Sequence, residues 1–118
     1  MRQFYECLAA SDMPGALALL TPDFRLVQAA SLPYGGEWVG AAGLAGFFRA
    51  FFAHWAAFSS KDVRYFAAAD TVITTSAAVG TTRAGRLVRL PMVQVYQLRH
   101  GLLASAHPFY FDTAEVGP

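Results

Sequence analysis

Charged side chains are scarce in this 118-residue chain. Asp, Glu, Lys and Arg make up 14% of it and hydrophobic residues 55%, against a usual charged share of about 25%. So little charge cannot cover a surface, so a pocket, a subunit interface or both must absorb the apolar excess. Apolar content this high also excludes disorder. The net charge of +1 gives no general field for nucleic acid. Arg83, Arg86, Arg89 and Arg99 gather in the second half, as a phosphate-binding stripe or as a solvated strand edge. Cys7 is the single cysteine, which excludes an internal disulfide and reads as a small core residue.

Other signatures are missing too. Arg49 and Glu37 interrupt the best apolar stretch, and a membrane span needs roughly 20 apolar residues in a row. The N-terminus lacks a signal peptide's apolar run, so a cytoplasmic protein without membrane contact is expected. No His-x-x-x-His or paired-Cys spacing appears, and Gly35-Gly36 leads into a loop rather than a helix N-terminus. No nucleophilic Ser/His/Asp motif is present. Neither a metal nor a cofactor is expected. The length fits one domain over residues 1–118.

Present instead is a greasy helix entered through an aromatic loop. Leu32-Pro33-Tyr34-Gly35-Gly36-Glu37-Trp38-Val39 leads to Gly40, and a helix is predicted from there to Trp55. On a helical wheel Leu44, Phe47, Phe48, Phe51, Phe52, Trp55 and Phe58 fall within roughly 140°. The opposite face, with Ala45, Gly46, Arg49, Ala50 and Ala53, is small enough for another subunit to cover. Upstream, helices are predicted over 2–11 and 13–20, the second with Asp12 as N-cap and Pro14 in its first turn. Thr21-Pro22-Asp23 ends it, and a strand follows over 24–30. Four further β-prone runs, 63–69, 71–82, 87–99 and 102–111, are separated by short turns that suit antiparallel neighbours. This order predicts α+β, with helices on one face of an antiparallel sheet. Both alternating sets of 87–99 are apolar at the centre, and Pro91 invites a bulge, so its inward face stays open.

In order and spacing, Phe4-Tyr5 with Leu8-Ala9-Ala10 and Asp12, Leu20-Thr21-Pro22-Asp23, Gly40 opening a helix to Trp55, Arg99-His100-Gly101, and Pro108-Phe109-Tyr110-Phe111-Asp112-Thr113 carry a resemblance. The chain resembles SnoaL-like and ketosteroid-isomerase-related members of the nuclear-transport-factor-2-like superfamily. The resemblance implies a cone-shaped, strongly curved sheet wrapped around helices, of the cystatin-like α+β barrel kind. It also implies a pocket at one end and a homodimer through the outer sheet face. The isomerase relatives use a carboxylate base with a phenol and a protonated carboxyl as oxyanion donors. Those positions fall here on Gln28, Phe4 and Val93, with Tyr5 adjacent to Phe4. An amide cannot take the proton and a valine cannot donate a hydrogen bond, so this route to steroid isomerisation is closed.

The expected ligand is therefore a small, mostly apolar organic molecule. If there is catalysis, it is cofactor-free proton transfer of the isomerase, dehydratase or cyclase type; the alternative is a non-catalytic binding or dimerisation module. Asp112 is the candidate acid–base group, with Tyr110 two residues earlier as a hydrogen-bond donor; Asp112-Thr113-Ala114-Glu115 also fits a capping box. His107 offers an imidazole for acid–base work or an interface histidine. Gln28 is either an amide that orients a carbonyl or one that satisfies backbone groups. Tyr34 and Trp38 stand in a loop that can lid a site or pack over the core edge. Trp55, Phe52 and Tyr5 are candidates for the pocket wall.

Overall fold

Helix and strand periods separate along the chain as the side-chain pattern requires. The computed structural model describes residues 1–117. It orders them as α1 (Arg2–Ala9), α2 (Met13–Leu17), β1 (Leu20–Gln28), β2 (Gly36–Val39), α3 (Gly40–His54), β3 (Trp55–Ala68), β4 (Thr71–Thr82), β5 (Leu87–Arg99), β6 (Leu102–Tyr110) and α4 (Thr113–Val116). Asp12 caps α2 by accepting from Gly15 N at 3.0 Å, and Pro14 sits in the first turn as its fixed φ favours.

Three boundaries differ from expectation. Leu20 already belongs to β1, because it pairs with Leu103 of β6; Thr21-Pro22-Asp23 then passes through a register shift instead of ending a helix. The aromatic loop contains a short strand, β2, whose Trp38 pairs with Leu26. Trp55 and Phe58 lie in β3 rather than on the long helix. The chain turns from helix to strand at Trp55 with no linker, and the first half of β3 pairs with Ala77–Thr82.

The six strands form one curved sheet in the order β2-β1-β6-β5-β4-β3. The β3–β4, β4–β5 and β5–β6 neighbours are antiparallel, whereas β1 and β6 run parallel. The hairpin between β5 and β6 turns on His100 (φ 53°) and Gly101 (φ 78°), the pair of positive values that a two-residue primed turn needs. Strict alternation along β4 buries Val72, Thr74, Ser76 and Ala78 on the inner face. The β4–β5 ladder is unbroken at Pro91, so Met92, Gln94 and Tyr96 face inward and Val93 and Val95 outward.

Helices α1 and α3 cover the inner face. Leu44, Phe47 and Phe51 of α3 are buried against Phe24, Leu26, Tyr34 and Trp55. Each such side chain contributes about 1.5–3 kcal/mol on burial. Trp38 closes on part of the small face of α3: a Cβ at Gly43 would stand 2.9 Å from the Trp38 backbone, and one at Gly46 3.4 Å from its ring. Arg83 satisfies the end of α3, donating from Nε to Phe52 O and from its backbone N to His54 O, both at 2.9 Å. That is a role neither of the readings for the arginine cluster anticipated.

Candidate functional site

Two rows of inward side chains cross the sheet beneath the helices. Register places Thr74, Gln94 and Pro108 abreast, and Ser76, Met92 and Tyr110 abreast in the next row. Gln28 lies two residues past the Leu26–Ala106 pair, on the far side of β6. Polar but uncharged groups therefore dominate this layer. Every Asp, Glu, Lys and Arg side chain is exposed, so no carboxylate or cation serves it.

One cluster joins Tyr34, Tyr110 and Trp55. Trp55 Nε1 donates to the Tyr34 hydroxyl at 3.1 Å, and the Tyr34 and Tyr110 hydroxyls stand 2.9 Å apart. Trp55 reaches this position because Gly80 lies under its indole, where a Cβ would come within 2.6 Å of the ring. Trp38 Nε1 donates to Tyr34 O at 3.2 Å and ties the loop in place. Burial pushes both phenols up, Tyr110 well above the usual value of 10.0, so they stay neutral hydrogen-bonding groups.

A second cluster is centred on Tyr5. Its hydroxyl lies 2.7 Å from that of Tyr96, 3.0 Å from Thr74 Oγ1 and 3.1 Å from Gln94 Nε2; Tyr96 in turn donates to Gln94 Oε1 at 2.7 Å. Burial raises both phenols, Tyr96 the more. Among the described residues two buried polar atoms of the inner layer lack a hydrogen-bond partner: Gln28 Oε1 and Ser76 Oγ, in residues 5% and 9% exposed.

The other sequence candidates lie elsewhere. Asp112 is exposed and caps α4, accepting from Ala114 N at 3.0 Å; it does not reach the inner layer. His107 is exposed on the outer sheet face, stacked on Phe109 with centroids 4.3 Å apart. Phe52 is 43% exposed and stacks on Phe48, on the solvent side of α3. His54, at the end of α3, packs its ring beside Tyr34 and Trp55, with centroids 6.2 and 5.0 Å apart, and donates from Nε2 to Val116 O at 2.7 Å. Tyr34, Trp55, Gln28, Tyr5 and Tyr110 all belong to the inner layer, with Trp38 at its border. Thr74 and Ser76 were missed, although their phase with Val72 and Ala78 is visible in the sequence. Two surface depressions of about 460 and 500 Å³ run along β3–β5 on the opposite, outer side, bordered by Asp62, Thr75, Arg89 and Leu87.

Comparison with known proteins agrees with this architecture. An NTF2-like protein of unknown function from Burkholderia pseudomallei is 25% identical, with a TM-score of 0.86 over 97% of this chain and 88% of that one. TerC, co-crystallised with polyporic acid, is 19% identical with a TM-score of 0.87, over 98% and 94% of the two chains. A candidate polyketide cyclase from Pseudomonas putida is 21% identical with a TM-score of 0.79, over 92% and 86%. No functionally curated protein matches the sequence. The family model of the SnoaL-like domain matches residues 1–106, and the chain belongs to that family.

Proposed function

We propose that the protein binds a small, mostly apolar organic molecule between the helices and the inner face of the sheet. Tyr34 and Tyr110 act as its hydrogen-bond donors, Gln28 orients it, and Tyr5, Trp38 and Trp55 supply aromatic wall. The observation that carries this reading is the unpaired Gln28 Oε1, one of two such buried polar atoms among the described residues. A fold leaves a buried acceptor unmatched only at a cost of about 1–3 kcal/mol, which a guest can recover. TerC bears on this through its fold alone; its polyporic acid belongs to that protein.

Among the two classes weighed, binding without chemistry has the better support. The inner layer offers neutral donors able to polarise a carbonyl but no carboxylate to move a proton, and the neighbouring His54 is engaged at Val116 O. Asp112 acts as a helix cap in this reading, and His107 and Phe52 serve surfaces. Native mass spectrometry of the purified protein tests the proposal. A bound organic mass that is lost in Tyr34→Phe supports it; a protein that stays empty and takes up no aromatic compound overturns it.

The reading includes a cytoplasmic homodimer. Phe66, Ile73, Val93 and Phe109 lie exposed on the outer faces of β3 to β6, an apolar surface of the kind that partners cover. Sedimentation velocity checks it: the dimer is expected to dissociate in Val93→Glu, and a wild-type monomer at micromolar concentration would contradict it.

A further inference from the structure

The chain leaves the sheet at Phe111, whose N–H donates to Pro91 O at 3.0 Å. Beyond it α4 crosses the end of α3, from the loop that carries Ser31 to the turn that carries Arg86. Its hold on the rest of the molecule is slight. Four residues are too few for a helix to stand by itself. The Asp112 cap ties α4 only to itself. Thr113 meets Ser31 at 3.4 Å and Glu115 meets Arg86 at 3.9 Å, both in the open, where such contacts hold little. Two attachments remain. The Val116 side chain is 0% exposed, and Val116 O accepts from His54 Nε2 at 2.7 Å.

Of the three histidines, His54 is the one that is not exposed. Its ring adjoins Tyr34, which carries the inner tyrosine pair, and Trp55. Every carboxylate among the described residues lies at the surface. The group that α4 covers is therefore the one proton carrier beside the inner layer. We propose that α4 is a displaceable latch on His54. Seated, it fills the Val116 socket and commits the Nε2 proton to its own backbone. Lifted, it empties that socket and leaves a free imidazole beside Tyr34 and Trp55. The neutral layer described above is the closed form, and a site able to give or take a proton is the open one. Lifting breaks no sheet ladder, so it needs only a local opening and not global unfolding. The room involved is that which Val116 already fills.

Thiol labelling of the Cys7→Ser/Val116→Cys protein tests the latch. The thiol placed in the socket is close to valine in size and meets dithiobis(nitrobenzoate) only when α4 lifts. Its labelling is expected to run about tenfold or more below the unfolded rate and to change less than about twofold as urea approaches the unfolding transition, because a local opening exposes little surface. A rate that climbs with urea in step with global unfolding makes α4 a fixed part of the core and overturns the proposal. So does labelling at the unfolded rate in native buffer, which would leave Val116 unseated. A second measurement reads His54. Its Nε2–H signal in the NMR spectrum is expected to be protected from solvent in the wild type and lost in Val116→Asp, with the amides of β4 to β6 unmoved. A signal absent from the wild type, or one that persists in the folded variant, overturns the control of His54 by α4. The thiol measurement decides whether or not Val116→Asp folds. No guest enters either experiment, so failure of the latch leaves the binding reading standing.

Discussion

Gln28 and Gly80 show how single residues set the inner layer in opposite ways. Gln28 keeps a buried carbonyl oxygen without a hydrogen-bond partner in the protein. Gln28→Leu removes the orphan at similar volume and is expected to raise stability by about 1–2 kcal/mol. The gain would be seen as a higher melting temperature without ligand, and an unchanged or lower one would contradict the orphan assignment. Gly80 has the reverse character. A Cβ there would lie 2.6–2.7 Å from the rigid, buried indole of Trp55. Gly80→Ala is expected to cost about 1–3 kcal/mol, read by denaturant unfolding, with a red shift of tryptophan fluorescence as Trp55 is displaced. At this scale the sequence named Tyr34, Trp55, Gln28 and Tyr110. It could not show that Asp112 turns away to cap a helix, because both outcomes share the pattern Asp112-Thr113-Ala114-Glu115. Only the end of β6 at Tyr110 decides between them.

Elements were legible where periodicity was strong and obscure where neighbours decide. The long helix and the last three strands follow from apolar spacing. The start of β3 does not, since Trp55-Ala56-Ala57-Phe58 continues the helical pattern and is pulled into strand by pairing with Thr81 and Thr82. Likewise β2 is only four residues long and exists because β1 offers it an edge. Ion pairs then hold elements together from outside. Arg25 pairs with Glu37 across β1 and β2, and Arg99 at the end of β5 pairs with Asp23 of β1. The Arg99 guanidinium, helped by the Thr21 hydroxyl, lowers the Asp23 carboxyl to about 2. A carboxyl depressed on folding stabilises the protein above its unfolded value of about 3.9 and loses that contribution as pH falls through the folded one. The stability difference between wild type and Asp23→Asn is therefore expected to be constant above about pH 4. It should shrink as pH falls through about 2 and vanish only below that, and it should be small throughout because the pair is exposed. Urea unfolding across that range checks it; a difference that grows toward acid would contradict it.

On the scale of the whole molecule, the chain concentrates aromatic and neutral polar groups between helices and sheet and sends every charge outward. Composition foretold half of this: 14% charge leaves no surplus for the interior and too little for the surface. It also left the outer sheet face apolar, which is where the depressions and the exposed Phe66, Ile73, Val93 and Phe109 lie. Composition does not assign the proposed small molecule or the proposed partner to one apolar region or the other, since both regions arise from the same excess. The proposed assignment rests on the tyrosine pair and the unmatched amide of the inner layer. The most direct measurement is two-dimensional NMR of the protein titrated with naphthol, following the Gln28 side-chain amide, the Tyr34 and Tyr110 ring signals, and the rings of Phe66 and Phe109. The account predicts saturable shifts at Gln28, Tyr34 and Tyr110 with the two phenylalanines unmoved. Shifts confined to Phe66 and Phe109 would place the small molecule on the outer face and contradict it.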